Sequence, residues 1–96
     1  MPGVRIAASR HGTARAYWLG AQEIAHHHAS GSVDLRVGRK LIAARHEELR
    51  GDRRVKLRSG TSDWLEVTLT SAGDARFAAA LLRAGLGDHV ENVEHV

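Results

Sequence analysis

Glu23-Ile24-Ala25-His26-His27-His28-Ala29, then Ser30-Gly31-Ser32, then Val33-Asp34-Leu35-Arg36-Val37: the reading of this stretch decides the fold. The last run alternates apolar and polar residues with period two, the pattern of a strand buried on one face. The Ser-Gly-Ser break supplies a turn. The stretch therefore reads as two antiparallel strands joined by a short loop. Three of the chain's seven histidines stand side by side on the first strand. Their internal position argues against an expression tag. Imidazole is the common side chain for metal ligation and for proton transfer near neutral pH.

Toward the N-terminus, Val4–Ser9 reads as a short edge strand, preceded by Pro2-Gly3 and ended by His11-Gly12. Arg15-Ala16-Tyr17-Trp18-Leu19 reads as a stronger strand because of its large residues. Gly20-Ala21 turns the chain into the histidine strand. Beyond Val37 the period changes. Arg39 to Arg50 holds good helix formers, with Leu41, Ile42, Ala44, Arg45 and Leu49 along one stripe and Gly51 as a stop. Arg54–Arg58 alternates again, Ser59–Asp63 is a polar loop, and Trp64–Thr70 is the clearest strand. Ser71-Ala72-Gly73-Asp74 has the Ser-x-x-acid form of a helix start. Phe77, Leu81 and Ala84 form the stripe of that helix, and Gly85 is placed to end it. Leu86–Val96 reads as a docked or frayed tail. The order β-β-β-β-α-β-β-α predicts an α+β fold. An antiparallel sheet of five to six strands carries two helices on one face, in one domain over residues 1–96.

Side chains alternate faces along a strand. His26 and His28 share one face with Ile24, and His27 shares the other with Ala25 and Ala29. Residues i and i+2 sit roughly 6.5–7 Å apart along a strand, a gap that two imidazoles can close on one ion. Asp34 is the nearest third candidate. A two-residue loop at Ser30-Gly31 pairs His28 with Val33 and His27 with Asp34. A three-residue loop pairs His28 with Asp34 and His26 with Arg36, and a slip by one flips the face. The three-residue loop is preferred because it gathers His26, His28, Asp34 and Arg36 on one polar face. The plainer alternative is the solvated face of a half-buried sheet. Tyr17 and Trp18 fall on opposite faces, one as core and the other as a surface or pocket wall. Trp64, after its loop, is placed to line a pocket or cap the sheet edge.

Composition sets bounds. The chain has 96 residues, 43% of them hydrophobic, and no cysteine, which excludes disulfides and thiol chemistry. Any metal site is left to His, Asp and Glu. No run approaches the ~20 apolar residues of a membrane span. With no signal-peptide pattern at the N-terminus, a cytoplasmic protein is expected. The formal charge is +3 and the pI near 10.2. Such a balance suits nucleic acid. The acidic residues are interleaved, however, and the one basic cluster is Arg50, Arg53, Arg54, Lys56 and Arg58. No phosphate loop of the Gly-Lys-Ser/Thr type and no Gly-x-Ser-x-Gly elbow occurs.

The order of motifs resembles the luciferase-like domain family. That small domain has a mostly unknown role and is also present in fungal luciferases that oxidise a hydroxylated hispidin-type luciferin. The matching stretches are Gln22-Glu23-Ile24-Ala25-His26-His27-His28, Gly31, Val33-Asp34-Leu35, Arg39-Lys40, Trp64 and residues 78–83, so the resemblance covers about residues 4–85. It implies that His26, His28 and Asp34 match the family's polar set, and that His27 falls where an apolar residue is usual. One departure is clear. Many members have a His-His pair shortly before the Trp strand, where this chain has Arg53-Arg54-Val55-Lys56. The shared fold does not carry luciferase activity with it.

The expected function is small-molecule binding in a polar pocket of His26, His28, Asp34, Arg36 and Trp64. No cofactor is expected, a metal on His26 and His28 is the lesser possibility, and catalysis is left open. The alternative is a nucleic-acid or protein interaction module built on Arg50, Arg53, Arg54, Lys56 and Arg58. No membrane partner is expected, and the edge strand leaves monomer or homodimer open.

Overall fold

The computed structural model describes residues 3–10, 15–58 and 62–94, with side chains to residue 87. The sheet strands are β1 (Val4–Ala8), β2 (Arg15–Leu19), β3 (Gln22–His27), β4 (Ser32–Arg36), β5 (Val55–Leu57) and β6 (Trp64–Thr68). The helices are α1 (Arg39–Ala44), α2 (His46–Arg50) and α3 (Ala72–Glu94). Six strands form one sheet in the order β1-β2-β3-β4-β6-β5, and each neighbouring pair is antiparallel. The fold is α+β, as expected. The His11-Gly12 stop and the Ser59–Thr61 part of the polar loop lie outside the described residues.

One face of the sheet presents Ala25, Val33, Leu35, Leu65 and Val67 to Leu41, Leu49, Ala78, Leu81 and Leu82 from the helices, in a single buried cluster. The alternation of β4 and β6 does this directly: every second residue is apolar and faces the helices. The opposite face carries the polar members of the same strands. It is the face on which the candidate site is built.

Two helix boundaries differ from expectation. The expected helix over Arg39–Arg50 is broken at Arg45, whose φ of −112° and ψ of 22° leave the helical region. Glu47 and Glu48 then lie in the first turn of a new helix, where negative charge is favoured. The last helix does start where expected. The Asp74 amide donates to Ser71 Oγ (3.2 Å), and Asp74 Oδ2 accepts from the Thr70 amide (2.9 Å). It does not stop at Gly85, however, but runs on to Glu94. The glycine serves packing: a Cβ there would stand 2.5 Å from the Val37 carbonyl oxygen. This close approach seats α3 against the end of β4.

Candidate functional site

The β3–β4 hairpin sets the register of the histidines. Its pairs are Ala25↔Leu35, His26↔Asp34 and His27↔Val33. The His28 amide donates to the Ser32 carbonyl (2.8 Å), which closes a loop of Ala29, Ser30 and Gly31. Gly31 has φ 91°, a conformation that favours glycine. The loop has the preferred length but begins one residue earlier than expected, so Asp34 stands opposite His26 rather than His28. A shift by two residues preserves the face, and His26, His28 and Asp34 remain together.

A second irregularity adds a residue. Between β2 and β3 the pairs run Tyr17↔Ala25 and then Trp18↔Glu23, so Ile24 forms a bulge. The expectation that Ile24 shares a face with His26 is corrected: Ile24 is 1% exposed and joins the apolar cluster. Glu23 takes its place beside His26, with Oε1 3.9 Å from Nδ1. Ala29, expected on the apolar face, is exposed in the loop.

Asp34 is the centre of the arrangement. Its side chain is 2% exposed, and its Oδ2 lies 2.8 Å from His26 Nε2, 2.8 Å from His28 Nε2 and 2.8 Å from an Arg58 guanidinium nitrogen. Its other oxygen, Oδ1, is buried and has no hydrogen-bond partner among the described residues, as is the case for Oε1 of Glu23. The imidazoles of His26 and His28 meet edge to face at 5.2 Å, and the Trp64 ring lies 5.4 Å from His26. A buried carboxylate must be compensated by donors or a cation, and here all the compensation falls on one oxygen.

Arg36 is opposite Trp64 in the β4–β6 register, but its guanidinium turns to Asp63 Oδ2 (3.3 Å). Asp63 also accepts the Arg39 amide on Oδ1 (3.0 Å), so this pair fixes the entry to α1. Beside it lies a cleft of about 550 Å³ lined by Arg10, Leu19, Ala21, Gln22, Glu23, Arg36 and Trp64. Trp18 stands on this face, its ring 5.4 Å from the Arg5 and Arg10 guanidinium carbons.

His27 faces the other way. Its Nε2 lies 3.0 Å from the Tyr17 hydroxyl, at the wall of an apolar cavity of about 210 Å³ beneath α3. Burial holds its pKa below the usual 6.5, helped by the positive charge of Arg15 and then by His26.

Ion pairs divide the basic segment. Arg50 bonds to Glu47 (3.2 Å), and Lys56 stands opposite Glu66. Arg54 bonds to Asp52 (2.7 Å) and lies 3.7 Å over the Phe77 ring. Those bonds from Arg54 pull the Asp52 pKa down to about 2. Arg53 is exposed. Arg58 leaves the group altogether and joins the histidine cluster. Its place was readable from alternation, since 56 and 58 share a face that the β5–β6 and β4–β6 pairings carry across to Asp34. Glu23 was hidden, because a bulge leaves no mark in the period.

A family model for the luciferase domain matches residues 21–85. The chain belongs to the luciferase domain family. It matches no curated protein and no solved structure at a significant level. The luciferase domain match contains Glu23, His26, His28, Asp34, Arg36, Arg58 and Trp64, and so the whole cluster. It leaves out β1 and β2, and with them Arg10, Tyr17 and Trp18. In this luciferase domain Arg54 is bonded to Asp52, and Arg58 is the arginine that reaches Asp34. Among the described residues no helix is long and apolar enough to cross a membrane.

Proposed function

We propose that this luciferase domain binds a small, planar, polar molecule on the open face of its sheet. The molecule lies against Trp64 and the exposed edges of the His26 and His28 imidazoles. The observation that supports this reading is the convergence of two imidazoles and one guanidinium on a single oxygen of a buried carboxylate. Charged side chains on a merely solvated face have no need of a partner that is 2% exposed. Fixing ring orientation over a buried anion is how a binding site is pre-organised. The adjoining cleft brings the guanidinium of Arg36, the side chain of Arg10 and the Trp64 ring within reach of the same molecule. Such a mix of one aromatic wall and a few convergent polar groups suits a phenolic or carboxylate ligand.

The test is an NMR titration with a panel of small phenols and aromatic carboxylates. The reading expects a saturable ligand whose binding shifts the His26, His28 and Trp64 side-chain signals. It also expects the double variant His26→Ala, His28→Ala to lose that binding while keeping its circular dichroism. Binding unchanged in the folded double variant would overturn it.

The interaction module on Arg50, Arg53, Arg54, Lys56 and Arg58 is the weaker reading. Three of these arginines already bond to carboxylates, and phosphate contact would have to break those bonds. Electrostatic binding falls steeply with salt. A polarisation titration showing tight, salt-sensitive binding of an oligonucleotide would favour this module instead.

A further inference from the structure

The structure assigns a second chemistry to the same cluster: we propose that His26 Nε2, His28 Nε2 and Asp34 Oδ2 form a site for one divalent transition-metal ion, of the zinc or ferrous class. This deepens the preceding reading and rests on it for the place of the site, not for the organic ligand. The three ligand atoms lie within 4.8 Å of one another. Metal–nitrogen and metal–oxygen bonds near 2.0–2.2 Å put tetrahedral ligand atoms about 3.3 Å apart. Small side-chain rotations separate that geometry from the 2.8 Å contacts now made to Asp34. Two imidazoles and one carboxylate suit borderline ions and leave positions open for an external ligand, whereas calcium and magnesium prefer all-oxygen sites.

Two further observations point to a cation. Glu23, 7% exposed, places Oε1 on the Nδ1 side of His26, 3.9 Å away, while Asp34 sits at Nε2. At 3.9 Å this is not a hydrogen bond, but it puts a carboxylate on the side from which metal-ligating histidines are oriented. The loading of Asp34 is also lopsided, with three groups on Oδ2 and, among the described residues, no hydrogen-bond partner on the buried Oδ1. The Arg58 guanidinium, on a side chain 49% exposed, occupies Oδ2 and competes with the ion. His27 points to the opposite face and is not a ligand.

The experiment is a calorimetric titration of untagged, EDTA-treated protein with zinc chloride, and with cobalt chloride for absorption and paramagnetic NMR shifts. One equivalent should bind. His26→Ala and His28→Ala should each weaken binding at least tenfold, and His27→Ala should leave it unchanged. Arg58→Gln should keep it or tighten it. In the wild type, cobalt should shift the ring protons of His26 and His28 far more than those of His27, a readout that needs no variant to fold. Absence of one-equivalent binding, or equal weakening by His27→Ala, would overturn the site and mark the run as adventitious. Repeating the phenol and carboxylate titration in EDTA separates the two readings. Zinc binding without an organic ligand, or the reverse, fails one and spares the other.

Discussion

His26 faces Asp34 directly across the β3–β4 ladder, with Nε2 2.8 Å from Oδ2. Asp34→Asn keeps the shape and removes the charge on which His26, His28 and Arg58 converge. Hydrogen bonds to a charged group contribute about 1.5–3 kcal/mol each when buried, and less where the partner is exposed. His28 and Arg58 are 38% and 49% exposed, so the sum is discounted. Asp34→Asn should lower stability by about 1–3 kcal/mol, read from urea midpoints at neutral pH.

The sequence showed most of this arrangement but not its fine registration. Strand alternation puts His26, His28 and Asp34 on one face whichever even register holds, so the grouping was legible. Which histidine meets Asp34 depends on where the loop begins, and Ala29 can be either last strand residue or first loop residue. The Ile24 bulge reverses the face of Glu23, and no local propensity announces it. At Arg45 the helix pattern ran on unbroken, and only the pair Glu47-Glu48 marked a second N-terminus. Gly85 matched a helix stop by residue type, yet its small size answers a contact with Val37 that is distant in sequence.

That contact separates two glycines of one helix. Gly85→Ala would place a methyl 2.5 Å from the Val37 carbonyl oxygen, so α3 must lift from the sheet. Overpacking of this kind costs about 1–3 kcal/mol. Among the described residues, Gly87 has nothing within 4 Å of the equivalent Cβ position. Gly87→Ala should instead stabilise the helix by up to about 1 kcal/mol. Thermal melts of the two variants should shift in opposite directions.

Asp52 gives a stability contribution with a defined acid limit. The Arg54 amide and guanidinium bond to its carboxylate and lower its pKa from 3.8 to about 2. A depressed carboxyl contributes stability in full above its unfolded pKa and loses it as pH falls through the folded value. The difference in urea midpoint between wild type and Asp52→Asn should therefore hold at neutral pH, shrink below about pH 4 and vanish near about pH 2. A difference that persists unchanged to the lowest pH would show that Asp52 acts through shape and not charge.

His27 should give a pH dependence in a different window. Burial, Arg15 and His26 all disfavour its charged form, so the folded pKa lies below 6.5. Above 6.5 the ring is neutral in both states and costs nothing. Below it the unfolded chain takes up a proton that the folded chain refuses, and stability falls with pH until the folded pKa is passed. The neutral ring also keeps its hydrogen bond with the Tyr17 hydroxyl at 3.0 Å. His27→Gln removes the titrating group. Between about pH 7 and pH 5 the melting temperature of the wild type should therefore fall more steeply than that of His27→Gln. Parallel slopes in the two proteins would show that the acid sensitivity arises elsewhere.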